Sequence, residues 1–247
     1  MSNELNSKEA GRETALLLPL SILIAGILVA GAIIYAVGRG AQPTQPTAGQ
    51  PAPVPAQPPA AAKATGGTPA IGDRDVILGD PKAKVTISEF GDYQCPWCAR
   101  FFEQIDSRLR EDYVKTGKVK VVFHNLAFLG PESLASAQAT ECAKDQSKFW
   151  PFHDAIYTAE AKDAKENNGN LNRDFFVSLA GTLQMDTSAF ASCIDSKKYE
   201  SKIQADNQEA GKYGVNSTPT TFVNGQLVKG ASSYDDFKAA IEAALKG

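Results

Sequence analysis

The stretch Cys95-Pro96-Trp97-Cys98 decides how the rest of the chain is interpreted. Two cysteines separated by two residues, directly after an apolar strand-like run, are typical of a redox-active thiol pair. Proline suits the first turn of a helix, which makes Cys95 the predicted N-cap, facing the unpaired N–H groups and the positive helix end. Both effects favour a thiolate, so we predict that Cys95 is the nucleophile and Cys98 the resolving thiol.

Two other interpretations of this cysteine pair stay open, a structural disulfide bridge and one half of a zinc site. A zinc site normally takes a second ligand pair at short spacing. The sequence contains no second C-x-x-C and no H-x₃₋₅-H pair. The pattern therefore favours redox chemistry, and we predict neither a metal nor a cofactor.

The first part of the chain is not typical of a globular domain. Residues 15–37 form an uncharged apolar run, long enough to cross roughly 30 Å of hydrocarbon as a helix. A cleaved signal peptide is the alternative, but its apolar region usually has about 7–15 residues and ends at a small-x-small site. Residues 36–38 match such a site poorly. We predict a cytoplasmic tail over residues 1–14 and an uncleaved membrane anchor over 15–37.

A change of composition separates the anchor from a folded domain. Residues 38–70 contain eight prolines among Ala, Gln, Thr and Gly, which predicts an extended linker. Residues 71–247 then form one domain of ordinary size. All four cysteines follow the apolar run, and disulfides persist on the oxidising side of a membrane. We therefore expect a single-pass protein of the cell membrane with a cytoplasmic N-terminus and an extracytoplasmic (periplasmic or outer-face) domain. The net charge of −3 gives no sign of a nucleic-acid partner.

The first half of the domain has the pattern strand, helix, strand. Residues 85–90 predict a strand that Gly91 and Asp92 break, and apolar residues recur at helical spacing after Cys98. Residues 119–123 predict a second strand. Such a unit is a right-handed βαβ crossover with parallel strands.

The second half begins after a long helical block, predicted over about 131–213. Asn224-Gly225 lies between two short strand-like runs, which is the strongest local signal for a hairpin. A final helix is predicted to start at Ser233, with Asp236 three residues later in the pattern of a capping box. The domain is therefore a βαβ half, a helical insertion and a ββα half.

In this arrangement the chain resembles the thioredoxin fold and, within it, the DsbA-like thiol–disulfide oxidoreductases, which carry a helical domain inserted between the two halves. The predicted fold class is α/β, thioredoxin-like with this insertion, preceded by one transmembrane helix and a Pro-rich linker. The resemblance covers about residues 71–247. The stretches that carry it are Glu89-Phe90, Cys95-Pro96-Trp97-Cys98, Ser147-Lys148-Phe149-Trp150, Phe152-His153-Asp154, Gly214-Val215, Thr218-Pro219-Thr220 and Asn224-Gly225.

The resemblance implies roles for single residues. Pro219 matches the cis-proline beside the active-site sulfurs, and Thr218 matches the variable residue before it, whose backbone is free to pair with an extended substrate. Glu89 matches a buried acid that accepts a proton when Cys98 attacks a mixed disulfide. The alternative for Glu89 is an outward-facing strand charge, but strand alternation places it on the side of the apolar Val85.

One position departs from the best-known oxidases of this family. They have a histidine that helps to hold the thiolate, and this chain has Trp97 instead. Thiolate pKa values in C-x-x-C proteins span about 3.5 to 7, so the oxidising strength is not fixed by the motif. We assign Trp97 and Pro96, with Thr218, to binding of an unfolded substrate.

Cys142 and Cys193 both fall in the helical insertion. We predict that they form a buried structural disulfide between two helices. Closing a loop of about 50 residues would stabilise the fold by about 4 kcal/mol in the chain-entropy model. The alternative is a second redox pair that relays electrons.

The resulting hypothesis is a membrane-anchored thiol oxidase that acts as a monomer. The resemblance implies unfolded exported proteins with free cysteines as substrates. It also implies a membrane quinone reductase of the DsbB or vitamin K epoxide reductase type as the reoxidant. Two alternatives stay open: a disulfide isomerase or reductase with the same chemistry, and a non-enzymatic copper-delivery module that uses the two cysteines as ligands.

Overall fold

The computed structural model describes residues 67–72, 75–162, 165–228 and 233–247. The predicted tail, the predicted anchor over 15–37 and the predicted linker up to residue 66 lie outside the described residues. In the described ranges, no helix combines the length and the apolar character that a membrane crossing requires. Gly67, near the end of the predicted linker, contacts the domain. Its N–H donates to the Gly225 carbonyl at 3.2 Å.

Over the described part of the domain, one five-stranded sheet has the order β1-β3-β2-β4-β5. The strands are β1 Ile77–Leu78, β2 Val85–Gly91, β3 Val119–Asn125, β4 Thr220–Val223 and β5 Gln226–Val228. Strands β2 and β3 are parallel and the other neighbours are antiparallel. The central strand β2 is buried along its whole length, so the residues that follow it start from the middle of the core.

The predicted βαβ unit is confirmed, with one correction at the end of its first strand. Gly91 was expected to break β2, but it is the last residue of the strand and pairs with Asn125 of β3. A Cβ on Gly91 would lie 2.5 Å from the Phe123 ring. Glycine at this position therefore serves close packing inside the strand and does not end it.

Helix α1 connects β2 to β3 and alternates between two kinds of helical hydrogen bonding. Its α-helical segments are Pro96–Phe101 and Ser107–Leu109, and its π-helical segments are Phe102–Asp106 and Arg110–Val114. Phe101, Ile105 and Leu109 pack in one cluster with Val85 and Ile87 of β2. Helix α1 therefore covers the face of β2 that carries its odd-numbered residues.

Among the residues that the structure describes, five helices fill the predicted insertion between β3 and β4. They are α2 Pro131–Lys144, α3 Phe149–Glu160, α4 Arg173–Thr182, α5 Thr187–Asp195 and α6 Glu200–Lys212. Aromatic rings hold the insertion together, since Phe152 of α3 lies 5.2 Å from Phe190 and 6.3 Å from Phe176, measured between ring centroids. The helical block predicted from the sequence is therefore confirmed.

The C-terminal half also follows its local signals. Asn224 and Gly225 both have positive φ and join β4 to β5 in a tight hairpin. Ser233 and Asp236 form the predicted capping box at the start of α7, Tyr234–Lys246. The thioredoxin-like α/β fold with a helical insertion is thus confirmed.

Candidate active site

The redox motif lies at the start of α1, directly after the central strand. Cys95 is the N-cap in an extended conformation, and Pro96 is the first helical residue. The Cys95 carbonyl accepts the first helical hydrogen bonds, from the Cys98 N–H at 3.0 Å and the Ala99 N–H at 3.1 Å. Both cysteines are free thiols. The backbone at Cys95 and Pro96 has the helix-start geometry that the sequence predicted.

Residues distant in the sequence complete the site. The Thr218–Pro219 peptide bond is cis, and the Cys95 thiol donates to the Thr218 carbonyl oxygen at 3.4 Å. Pro219 is buried and Thr218 is half-buried. The structure thus brings Thr218 and Pro219 to the nucleophilic sulfur, as the resemblance implied.

The environment of Cys95 favours its thiolate. A hydrogen bond from the Cys98 thiol, above all, lowers the pKa of Cys95 to about 6, with further contributions from Thr218 and from the backbone N–H groups of Cys98 and Trp97. Burial opposes this shift. The Cys95 side chain makes no capping hydrogen bond that meets the geometry of a regular N-cap. The helix start contributes to the shift, and the neighbouring thiol contributes more.

Cys98 has the opposite properties. Its side chain is fully buried, and burial, followed by the hydrogen bond and charge of Cys95 and the charge of Glu89, raises its pKa well above that of an ordinary thiol. Glu89 is also buried, at 4% exposure, and burial, with the nearby Asp106 carboxylate second, raises its pKa. Glu89 and Cys98 interact through their charges, so a protonated Glu89 can give a proton to a Cys98 thiolate, and a Glu89 carboxylate can accept one from the Cys98 thiol.

Asp92 is a functional residue that the sequence interpretation missed. It is buried, and its carboxylate accepts hydrogen bonds from the backbone N–H groups of Gln94 at 2.9 Å, Phe128 at 3.0 Å and Leu129 at 3.2 Å. Its carbonyl accepts from the Cys95 N–H at 3.0 Å. Asp92 therefore fixes the loop before the nucleophile and ties it to the loop after β3.

Gln94 ties the same loop to the helical insertion. Its side-chain amide donates to the Ser133 hydroxyl at 3.1 Å, in the first turn of α2, and to the Asn167 side-chain oxygen at 3.3 Å. The redox loop is thus held from the sheet side and from the insertion side.

Two large apolar side chains are exposed beside these anchored loops. Trp97 is 57% exposed, within the motif, and Phe128 is 50% exposed, in the loop held by Asp92. The Arg100 guanidinium lies 5.7 Å from the centre of the Trp97 ring. Exposed aromatic rings next to a reactive sulfur are suited to contacts with apolar side chains of an unfolded chain.

A partly buried charge network joins α1 to α3 beyond the cysteines. Arg110 pairs with Asp106 at 2.7 Å and with Asp154 of α3 at 2.8 Å. His153 is buried, and its Nδ1 lies 2.9 Å from the Asp154 carboxylate. The i,i+4 spacing of Asp106 and Arg110 was a sequence signal for this pair. The charges of this network also act on Glu89. The charge of Asp106 raises the pKa of Glu89, and the charge of Arg110 lowers it.

The second cysteine pair is joined in a disulfide and does not form part of this site. Cys142 of α2 and Cys193 of α5 are bonded, with their Cα atoms 5.9 Å apart. The bond fastens two helices of the insertion. Over the described ranges, no group of three or more His, Cys, Asp or Glu side chains is arranged to hold a metal ion.

The fold and the site together define a class of protein. A thioredoxin-like sheet, a Cys-x-x-Cys pair at a helix start and a cis Thr–Pro peptide beside the first sulfur are the parts of a thiol–disulfide oxidoreductase. Similarity to known proteins then gives the family. A family model described as Thioredoxin matches residues 72–243, and the chain belongs to this family as a DsbA-like thiol–disulfide oxidoreductase.

Individual relatives agree with this assignment. The chain is 32% identical over 187 residues to the disulfide bond formation protein D of Bacillus subtilis strain 168, covering 74% of this chain and 82% of the relative. The crystal structure of oxidised BdbD from Bacillus subtilis aligns with a TM-score of 0.69 and 30% identity, over 74% of this chain and 99% of that chain. The crystal structure of Wolbachia pipientis alpha-DsbA1 shares the fold, with a TM-score of 0.64 and 23% identity, over 71% and 93% of the two chains.

Proposed function

We propose that this oxidoreductase works as a thiol oxidase that introduces disulfides into exported, unfolded proteins. The observation that carries the proposal is the asymmetry of the two thiols, with the pKa of Cys95 lowered to about 6 and that of Cys98 raised. Because the reduced enzyme is stabilised as a thiolate, the oxidised enzyme gives up its disulfide readily. This difference drives oxidation of the substrate.

The reaction has two exchange steps. A substrate thiolate attacks Cys95 of the Cys95–Cys98 disulfide, the bond between the two enzyme sulfurs breaks, and its electron pair passes to Cys98, which takes a proton from Glu89. A second substrate thiolate then attacks the substrate sulfur of the mixed disulfide and expels Cys95 as a thiolate. Two electrons have moved from the substrate to the enzyme, and the substrate has gained a disulfide.

The pKa of Cys95 sets the pH range of this driving force. Its folded value of about 6 lies below the value of about 8.5 for a free thiol. The stabilisation of the reduced form is therefore fully present above about pH 8.5 and is lost as the pH falls through about 6. At pH 7 it amounts to at most about 1.4 kcal/mol, or about 30 mV. The oxidised form has no Cys95 thiolate, so the reduced enzyme is favoured more strongly at neutral and higher pH than at acidic pH.

The location and the partners belong to the same proposal. An anchor over residues 15–37 with the domain outside would place the enzyme where exported chains emerge and where disulfides persist. Reoxidation requires an electron acceptor, for which we propose a membrane quinone reductase of the DsbB or vitamin K epoxide reductase type. Holding both proteins in one membrane would raise their effective concentration.

The redox equilibrium with glutathione tests the direction of the reaction. We expect a reduction potential less negative than the value of about −270 mV typical of thioredoxin, together with oxidation of a reduced, unfolded protein that contains two cysteines. The fraction of oxidised enzyme is measured by thiol labelling and mass spectrometry across a series of glutathione ratios. A potential at or below that of thioredoxin would instead support a reductase or isomerase.

A further inference from the structure

Tyr157 of α3 has a buried hydroxyl group without a hydrogen-bond partner. Its ring is enclosed by other rings, with Tyr93 and His153 each 4.9 Å away between centroids. Buried hydroxyls in proteins are nearly always paired, so an unpaired one requires an explanation. In the sequence Tyr157 falls at helical spacing with Phe149, Phe152 and Ile156, a pattern that indicates only the buried face of a helix.

The hydroxyl lies against the end of β2. A Cβ built on Gly91 would be 2.8 Å from the Tyr157 Oη atom, so the missing side chain at Gly91 leaves room for this oxygen. Gly91 is two residues after Glu89 on the same strand, and residues at this spacing point to the same face. The Tyr157 hydroxyl therefore lies on the face of the sheet that carries Glu89.

Cys98 lies on the same face of the sheet. Helix α1 covers this face, since Phe101 packs with Ile87 of β2, and Cys98 lies one turn before Phe101. Cys98 and Tyr157 are members of one buried cluster. After burial, the charge of a Cys98 thiolate is the first contribution that raises the pKa of Tyr157 well above its ordinary value. The Tyr157 ring also stacks on Phe102, one helical turn after Cys98, with the ring centroids 5.7 Å apart. The hydroxyl therefore lies near this sulfur, and its raised pKa keeps it protonated at neutral pH.

We propose that the Tyr157 hydroxyl donates a hydrogen bond to the Cys98 sulfur while that sulfur is a thiolate. During exchange a substrate thiolate bonds to Cys95, the Cys95–Cys98 bond breaks, and the electron pair stays on Cys98 in a site closed to water. The Asp92 N–H is a second donor there, until Glu89 supplies the proton. Tyr157 keeps its own proton throughout. The inference requires only exchange at the two cysteines and holds for either direction.

The substitution Tyr157→Phe tests this role by removing one oxygen atom. Oxidised protein is mixed with a cysteine-containing peptide, and the rate of mixed-disulfide formation is followed from about pH 6 to about pH 9. We expect the rate to fall roughly 10- to 100-fold, the effect of losing one hydrogen bond to a charged group. The equilibrium constant with glutathione should not change, because neither end state holds a Cys98 thiolate. The rate ratio between wild type and variant should be constant over this pH range.

Tyr93→Phe is the matched control. Its hydroxyl is also buried and without a hydrogen-bond partner, and its ring lies next to that of Tyr157. The groups that act on the pKa of Tyr93 are Thr140, Glu141, Glu89 and Asp154, and Cys98 is not among them. We expect this variant to keep the wild-type rate. The inference is wrong if Tyr157→Phe reacts at the wild-type rate, if both variants slow equally, or if the glutathione equilibrium shifts as much as the rate. Loss of the fold in Tyr157→Phe would also contradict it, because an unpaired hydroxyl makes no hydrogen bond that the folded state would lose.

Discussion

Replacing Cys98 with alanine is expected to abolish turnover and to leave the protein covalently joined to its substrates. Cys95 in this variant loses the hydrogen bond of the Cys98 thiol but keeps the contributions of Thr218 and of the backbone N–H groups to its lowered pKa, so it still attacks a disulfide of a substrate or of glutathione. Cys98, one helical turn away and buried behind it, is the thiol that would break the mixed disulfide. Without Cys98 the adduct persists, and turnover falls to the uncatalysed rate. Non-reducing electrophoresis and intact-mass measurement detect the adducts.

Cys95→Ala is the matched control for this experiment. It removes the nucleophile and keeps Cys98, whose burial and raised pKa make it a poor nucleophile. We expect neither turnover nor adducts from Cys95→Ala. Adducts in this variant, or normal turnover in Cys98→Ala, would show that the roles of the two thiols are reversed or shared.

Removing the second disulfide is expected to have the largest effect on stability. Cys142 and Cys193 are 51 residues apart in the sequence, and opening a loop of that size costs about 4 kcal/mol in the chain-entropy model. We therefore expect the double variant Cys142→Ala, Cys193→Ala to lose about this much free energy of unfolding in urea. Because both cysteines lie within the insertion, the exchange rate at Cys95 should stay near that of the wild type.

The double variant also separates the two functions considered for this disulfide. If the bridge is purely structural, its removal lowers the unfolding midpoint. The exchange rate then stays unchanged at temperatures where the variant is folded. A loss of turnover equal to that in Cys98→Ala would mean that Cys142 and Cys193 relay electrons. The midpoint is measured on oxidised protein, and the exchange rate well below that midpoint.

Much of this site could be predicted from the sequence because its signals are local. The N-cap at Cys95, the hairpin at Asn224-Gly225 and the capping box at Ser233 each depend on a few neighbouring residues. The place of Pro219 beside Cys95 followed from a family resemblance, since no local pattern links residues so far apart.

The residues that sequence reasoning missed act through distant contacts. Asp92 looked like the end of a strand, yet its carboxylate joins two loops separated by more than 30 positions. The short turn from Asp92 to Gln94 was its one local signal. Tyr157 gave no signal at all, because on a helical wheel a core tyrosine and one that serves a sulfur are identical. Strand β1 has two residues, too few to show the alternation of a strand.

Thiol oxidation by this protein depends on an acidic thiol at the start of α1, and a direct titration of that thiol tests the mechanism. The ultraviolet absorbance of the thiolate is followed against pH in the reduced protein, with Cys95→Ala as the blank. We predict a midpoint near pH 6, and an upward shift in Cys98→Ala, because the Cys98 thiol contributes most to the lowered pKa. A midpoint near about 8.5, the value of a free thiol, would contradict the account.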